Sequence, residues 1–173
     1  MAWTPTDLAW CTGFFEGEGN INIYKSTTWQ KRLTPHYGLQ IEVGNTNPIP
    51  LNRLQFIFGG SVHERRSASF RGNRARFFRW CLSSIRAAEF LKAISPYLTF
   101  KSEQAKLALA FQKTLNPGSR GRGIAVEAEI VAYRESLRLQ LRELTRTGKN
   151  RRLDAKIVIP KCISKNQLQL EEV

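Results

Sequence analysis

The chain has 173 residues, of which 42% are hydrophobic and 10% aromatic, so it can form one folded domain, and a wholly disordered chain is excluded. No apolar run approaches the roughly 20 residues of a membrane span, and no signal-peptide pattern is visible, so we expect no membrane partner. The excess of 27 Lys and Arg over 14 Asp and Glu gives a net charge of +13, which favours nucleic acid as the partner.

The three cysteines, Cys11, Cys81 and Cys162, are far apart in the chain and odd in number. Their spacing fits neither a disulfide framework nor a zinc site. We therefore expect small buried side chains in an intracellular, reducing compartment such as the cytoplasm or an organelle.

The first predicted element is a helix that ends near Glu16. Thr4 can cap it, Pro5 suits the first helical position, and Asp7 follows in the first turn. The helix is apolar on most of its circumference, which predicts burial on several sides.

Alternating polar and apolar residues then predict two strands, at residues 20–25 and 37–43, joined by a long hairpin loop at 26–36. A turn at 45–48 leads to a short helix at 50–58, which a Gly-Gly pair ends. A second strand pair is predicted at 61–67 and 75–82, and helices follow at 84–94 and 102–115.

The region from residue 117 differs in composition from the part before it. A Gly-rich linker at 116–123 precedes a long charged helix at 124–147, and a basic tail follows with a possible docking segment at 157–159. We therefore divide the chain into an αββαββαα core at 1–116, a linker with a charged helix that packs on the core at 117–147, and a basic tail at 148–173. This order predicts an α+β fold built on an antiparallel sheet.

The predicted sheet has one apolar and one polar face. The apolar face carries Ile21, Ile23, Leu39, Ile41 and Val43. Amide, aromatic and charged side chains share the other face: Asn20, Asn22, Tyr24, Gln40, Glu42, His63, Arg65 and Arg76, with Arg79 as a further candidate. A solvated face is common in antiparallel sheets, but the net charge favours contact with base edges in double-stranded DNA. The face of each residue in 75–82 stays open, because bulky aromatic residues stand at consecutive positions.

The segment Cys11-Thr12-Gly13-Phe14-Phe15-Glu16-Gly17-Glu18-Gly19 resembles the LAGLIDADG motif of homing endonucleases. Glu replaces Asp at both acidic positions, and Cys11 and Thr12 stand where Leu and Ala are usual. Residues 43–46, 51–62 and 97–105 resemble later landmarks of the family in the same order. The likeness covers about residues 8–115.

The residues of the motif also suggest chemistry by themselves. Gly13 and Gly17 are four residues apart, so they share one helix face and allow another backbone to approach closely. Two such helices would bring two Glu18 carboxylates together, and their repulsion would favour a hard divalent cation between them. Such a site suits metal-assisted phosphodiester hydrolysis. A helix end with two solvated glutamates is the alternative, and the wider motif context disfavours it.

The resemblance implies an αββαββα saddle that cleaves both strands of a long, nearly palindromic DNA site and leaves 3′ overhangs, with an intron as the expected genetic location. It implies Mg²⁺, or another divalent cation such as Mn²⁺, and no organic cofactor. It assigns metal binding to Glu18 and the Gly17 carbonyl, ordering of water to Asn45, and a place near the scissile phosphate to Lys101. Glu16 matches the first acid of the motif. The family's arginine has no clear counterpart here, and Arg53 is a candidate without further support.

The chain holds one copy of the motif, and one-copy members of the family pair as homodimers. We therefore expect a dimer surface at Leu8, Thr12, Gly13 and Gly17. Two alternatives share the fold: an RNA splicing cofactor (maturase) and a non-cleaving DNA-binding protein. A basic structural RNA-binding protein would explain the charge but not the motif.

Overall fold

The computed structural model of the chain describes residues 3–26, 34–65, 76–115 and 126–146. Five helices and four strands lie in these ranges: α1 Pro5–Glu18, β1 Gly19–Ser26, β2 His36–Asn45, α2 Pro48–Phe58, β3 Ser61–Glu64, β4 Phe78–Ser83, α3 Ser84–Ile94, α4 Ser102–Lys113 and α5 Ala128–Thr145, with a 3-10 turn at Ser95–Tyr97. Within the same ranges, no helix is both long and apolar enough to cross a membrane.

Helix α1 begins as its sequence predicts and ends later. The Thr4 hydroxyl accepts a hydrogen bond from the amide of Asp7 at 3.1 Å, with Pro5 in the first turn. The helix runs through Gly17 to Glu18, so the prediction that it ends near Glu16 was wrong. The chain turns at Gly19, where an added Cβ would lie 2.3 Å from a ring carbon of Phe15, so this position needs glycine.

The four strands form one antiparallel sheet in the order β1-β2-β4-β3. All five predicted apolar-face residues, from Ile21 to Val43, are buried, so that prediction is confirmed. In β4, Trp80 and Leu82 are buried on the same side. Arg79 and Cys81 therefore lie on the polar face, because successive side chains of a strand alternate between faces.

The helices cover the apolar face and build a core with many aromatic residues. Phe90 of α3 lies at its centre, with ring centroids 5.1 Å from Phe15, 4.7 Å from Phe58 and 5.4 Å from Trp80, all in edge-to-face geometry. Such pairs stabilise a core beyond the area that they bury. The core thus links α1, α2, α3 and β4, and it holds the C-terminal end of α1 against the sheet.

Helix α5 packs on the domain through apolar and charged side chains. Leu137 and Leu141 are buried in the core cluster. Arg134, only 8% exposed, donates hydrogen bonds to the hydroxyl and the carbonyl of Thr114, at the C-terminal end of α4. The long charged helix is therefore part of the folded domain.

A second contact of α5 reaches the sheet. The Glu135 carboxylate accepts hydrogen bonds from Tyr37 at 2.7 Å and Arg138 at 2.6 Å, and it pairs with Lys25 at 3.4 Å. The hydrogen bond from Arg138 is the largest influence on the pKa of Glu135, which is lowered to about 2 although burial opposes the charge. The acid is therefore ionised across the ordinary pH range and joins α5 to β1 and β2.

The linker, the basic tail, Cys162 and the segment 157–159 lie outside the described residues, as do 27–33 and 66–75. Cys11 is fully buried, as predicted, and burial raises the pKa of its thiol to about 12. Cys81 is only partly buried and lies on the polar sheet face.

Candidate active site and polar sheet face

The C-terminal end of α1 presents the acidic residue that the motif singles out. Glu18 is the last residue of the helix, and both Glu18 and Gly17 are exposed. The last carbonyls of a helix have no partner within the helix, so other groups at this end must satisfy them. The Gly17 carbonyl and the Glu18 carboxylate therefore lie at one exposed helix end, as the predicted metal-binding role requires.

Glu16 has a set of partners that the sequence did not reveal. Its Oε1 accepts hydrogen bonds from the amides of Thr99 at 3.1 Å and Lys101 at 3.0 Å, and its Oε2 accepts from the amide of Phe100 at 3.1 Å and the Thr99 hydroxyl at 2.5 Å. Burial disfavours the charged form, but these hydrogen bonds lower the pKa of Glu16 below its usual value. The first motif acid thus binds the turn that precedes α4.

Lys101 is brought to the same place by that turn. It stands at the N-cap of α4, and its ammonium group donates to the backbone carbonyl of Glu16. A cation at a helix C-terminus is favourable, because the carbonyls there carry partial negative charge. The structure therefore places Lys101 against the last turn of α1. Its contact there is with Glu16, which precedes Glu18 by two residues.

Asn45 lies at the same end of the sheet. Asn45 is the last residue of β2. Gly19, the first residue of β1, pairs with Val43, so Asn45 lies two residues beyond that pair, at the end of the sheet where α1 meets β1. Its Oδ1 accepts from the amide of Asn47 at 2.8 Å, so it also shapes the turn into α2. The structure thus groups Glu18, Gly17, Lys101 and Asn45 at one end of the fold.

Arg53 does not join this group. Its guanidinium pairs with Asp7 at 3.3 Å and lies 4.2 Å above the ring of Trp10. Asp7 is in the first turn of α1, which is roughly 16 Å from Glu18 at the rise of an α-helix. Arg53, which the sequence left as an unsupported candidate, therefore has its partners near the other end of α1.

One protomer offers few ligands for a cation. In the described ranges, no group of three or more His, Cys, Asp or Glu residues could hold a metal ion. Glu18 and the Gly17 carbonyl are hard oxygen donors, which suit a magnesium ion that keeps waters and a substrate phosphate. The residues present therefore fit a cation whose other ligands come from outside this protomer.

The polar face of the sheet carries most of the predicted DNA-binding residues. Asn20, His63 and Arg65 are exposed, and the remaining ones on this face are partly exposed: Asn22, Tyr24, Gln40 and Glu42. A groove between β2, β3 and β4 is lined in part by Gln40, His63, Arg65 and Arg79. This face thus combines amide, aromatic and basic groups, which can pair with base edges in a major groove.

Arg76 and Arg79 lie on opposite sides of the sheet. Arg76 donates to both oxygens of Glu64, at 2.8 and 2.5 Å, and lies 5.3 Å above the ring of Phe78. Phe78 packs against the core, so Arg76 lies on the helix side and the prediction that it joins the polar face was wrong. Arg79, which the sequence analysis named as a further candidate for the polar face, lies on it and donates to Glu42 at 2.8 Å.

A row of small residues forms the exposed face of α1. Ala9, Gly13 and Gly17, spaced four apart, are exposed, and a Cβ added at either glycine would meet no atom within 4 Å. Thr12 is only 3% exposed, and its hydroxyl donates to the carbonyl of Leu8 at 2.7 Å. Thr12 therefore faces the protomer's own core, so its assignment to a dimer surface was wrong.

Leu8 is partly buried and packs against the same core. Phe100, in the turn bound by Glu16, is 72% exposed although apolar, and sequence reasoning missed it. Its backbone amide donates to Glu16, so this exposed apolar residue lies near the C-terminal end of α1.

Solved structures of homing endonucleases have similar folds. I-CvuI in complex with its target in the presence of Ca is 25% identical over 84% of this chain and 85% of that chain, with a TM-score of 0.66. The archaeal intron-encoded enzyme I-Vdi141I, complexed with DNA, is 13% identical over 84% and 88%, with a TM-score of 0.66. The LAGLIDADG homing endonuclease I-GzeII, in complex with its DNA target, is 16% identical over 92% and 55%, with a TM-score of 0.58.

No protein-family model matches the chain, and no curated protein matches it significantly. The structural matches confirm the predicted fold class, a mixed α and β fold with a four-stranded antiparallel sheet in the αββαββα order.

Proposed function

Since the chain has the fold of the LAGLIDADG homing endonucleases, we propose that it is a homodimeric, divalent-metal-dependent endonuclease that cuts both strands of a long, nearly palindromic DNA site. The observation that carries the proposal is the exposed C-terminal end of α1, where Glu18 follows Gly17. In the same turn, the Glu16 carbonyl accepts a hydrogen bond from the ammonium group of Lys101. Lys101 thus brings a positive charge to the helix end that carries Glu18.

The chemistry that we propose is hydrolysis of a phosphodiester. A water molecule attacks phosphorus and gives up a proton, and the bond from phosphorus to the 3′ oxygen breaks, so each cut leaves a 5′-phosphate and a protonated 3′-hydroxyl. We propose that each strand is cut on the 3′ side of the centre of the site, a stagger that leaves 3′ overhangs. Mg²⁺, or Mn²⁺ in its place, would be held by the Glu18 carboxylate and the Gly17 carbonyl and would polarise the phosphate. Lys101 would neutralise charge on the scissile phosphate, and Asn45 would orient water.

The proposed dimer forms through α1. One protomer supplies one Glu18, and the row of Ala9, Gly13 and Gly17 is an exposed surface on which another backbone could pack closely. The exposed ring of Phe100 would extend this surface. A twofold axis along α1 brings both Glu18 residues together and lets each sheet bind half of a palindromic site.

The proposed DNA surface is the polar sheet face. Arg65, Arg79, Gln40 and Asn22 carry donors that match guanine or adenine edges, and the Glu42 carboxylate can accept from cytosine. The net charge of +13 supplies the nonspecific attraction to phosphates.

The test is cleavage of a library of randomised DNA duplexes by the purified protein with Mg²⁺, with Mn²⁺ or with EDTA. We expect metal-dependent cuts in both strands of related, nearly palindromic sequences. Specific duplex binding without cleavage would replace the proposal with a non-cleaving DNA-binding protein. Tighter binding to structured RNA than to any duplex would replace it with a splicing cofactor.

A further inference from the structure

The contact between Glu16 and residues 99–101 joins the two segments that hold the proposed active-site groups. Glu16 precedes Gly17 and Glu18 in the last turn of α1, while the turn 99–101 leads into α4 and ends with Lys101. Lys101 donates two hydrogen bonds to Glu16: its backbone amide donates to the carboxylate, and its ammonium group donates to the backbone carbonyl.

The two carboxylate oxygens of Glu16 are fully engaged in this contact. Each oxygen accepts two hydrogen bonds, from the amides of Thr99, Phe100 and Lys101 and from the hydroxyl of Thr99. A carboxylate has about four lone-pair positions, so Glu16 has none left for a cation. Successive backbone N–H groups that converge in this way form an anion-binding concavity, which a charged carboxylate fills well.

We propose that Glu16 is a positioning residue that fixes the turn 99–101 and thereby holds the Lys101 ammonium at the end of α1, beside Glu18. The first acid of the motif and the second then have separate tasks, since Glu16 binds protein and Glu18 is exposed for a cation. The cleavage readout of this inference rests on the proposed function.

The test is a double-mutant cycle between Glu16→Gln and Lys101→Met, measured as single-turnover cleavage and as DNA affinity. Glutamine keeps the shape of the side chain but turns an amide donor toward the turn's own N–H groups. We expect Glu16→Gln to slow cleavage roughly 10- to 100-fold, as a misplaced reacting group does, with little change in DNA affinity. The double variant should be no slower than Lys101→Met alone, because both changes remove the same contribution.

Glu135→Gln is the matched control, since Glu135 is also a hydrogen-bonded carboxylate that joins two elements but binds Tyr37, Lys25 and Arg138. It should leave the cleavage rate unchanged and act independently of Lys101→Met. The proposal would be overturned if the double variant lost cleavage rate by the product of the two single losses. It would also be overturned if Glu16→Gln cleaved DNA at the wild-type rate. If Glu16→Gln does not fold, Thr99→Val, which removes one hydrogen bond to Glu16, replaces it in the same cycle.

A second readout does not depend on cleavage. The side-chain ammonium signal of Lys101, assigned by comparison with Lys101→Arg, should report a restrained group in the DNA-free wild type and a mobile one in Glu16→Gln or Thr99→Val. An unchanged signal in both variants would overturn the positioning role. Failure of the wild type to cut any duplex would overturn the proposed function alone.

Discussion

Arg79 of β4 donates from Nη1 to Oε1 of Glu42 of β2 over 2.8 Å, across the exposed face of the sheet. Both side chains are about a quarter exposed, so the pair is fixed but still accessible from the polar face. An arginine that is held by a carboxylate keeps further N–H groups in a planar fork, which suits the two acceptors of guanine. The pair thus presents a donor and an acceptor in one place.

Arg79→Ala should weaken DNA binding and relax base preference at one position in each half-site, by about 1–3 kcal/mol. Arg76→Ala is the matched control, because Arg76 is also paired with a glutamate, Glu64, but on the helix side of the sheet. Affinity measurements on a set of single-base variants of the selected site would distinguish the two. If Arg79→Ala lost the same affinity on every sequence, Arg79 would be a phosphate contact and not a base contact.

Salt dependence gives an independent check of the polar face. With a net charge of +13, DNA affinity should fall steeply as salt rises, because bound counterions are released. Arg65→Ala should lower affinity and change base preference at specific positions, since Arg65 is exposed in the groove of the polar face. If Arg65 binds phosphate instead, the variant weakens binding uniformly and reduces the salt slope by about one.

Local signals in the sequence predicted the elements well. Thr4, Pro5 and Asp7 marked the start of α1, and alternation in β1 and β2 assigned the five aliphatic side chains from Ile21 to Val43 to the buried face. These features depend on near neighbours in the chain, so a single sequence contains them.

The sequence failed where the answer depends on packing. Thr12 was misplaced because α1 is apolar on most sides, so its pattern does not say which face meets the core. Arg76 was misplaced because consecutive aromatic residues in 77–80 hide the alternation of β4. The partners of Glu16 are 83–85 residues away in the chain, and no local pattern connects them.

Glu18→Gln should abolish cleavage and leave specific DNA binding nearly unchanged. Glutamine is a weaker ligand for a divalent cation, while the polar sheet face stays intact. Cleavage and gel-shift assays on the selected site would measure both properties. Glu103→Gln is a suitable control, because Glu103 is an exposed glutamate that pairs with Lys106 at 2.7 Å on α4. Strand cleavage retained by purified Glu18→Gln would remove Glu18 from the active site.

Glu135 should make the stability of the domain depend on pH in the acidic range. Its folded pKa of about 2 lies below the ordinary 4.5, so its contribution is fully present above about pH 4.5 and is lost as the pH falls toward 2. Tyr37, Lys25 and Arg138 face the carboxylate and favour its charge. The difference in unfolding free energy between wild type and Glu135→Gln, on the order of 1–3 kcal/mol near neutral pH, should shrink across that window. A difference that stays constant from pH 6 to pH 2 would contradict this.

Substitutions at Gly13 should affect the stability of the protomer and the formation of the dimer differently. An added Cβ at Gly13 meets no atom within 4 Å in the protomer, so Gly13→Ala should fit there and stabilise α1 by about 0.5–1 kcal/mol. Gly13→Leu should also fold as a protomer, but its side chain would separate two α1 helices and thereby the two Glu18 residues. We therefore expect Gly13→Leu to lose dimer and cleavage together. Sedimentation with and without the selected DNA, together with cleavage assays, would test this. A wild type that is monomeric on its DNA, or a Gly13→Leu variant that still cuts both strands, would reject the α1 interface, because the proposed active site requires a Glu18 from each chain.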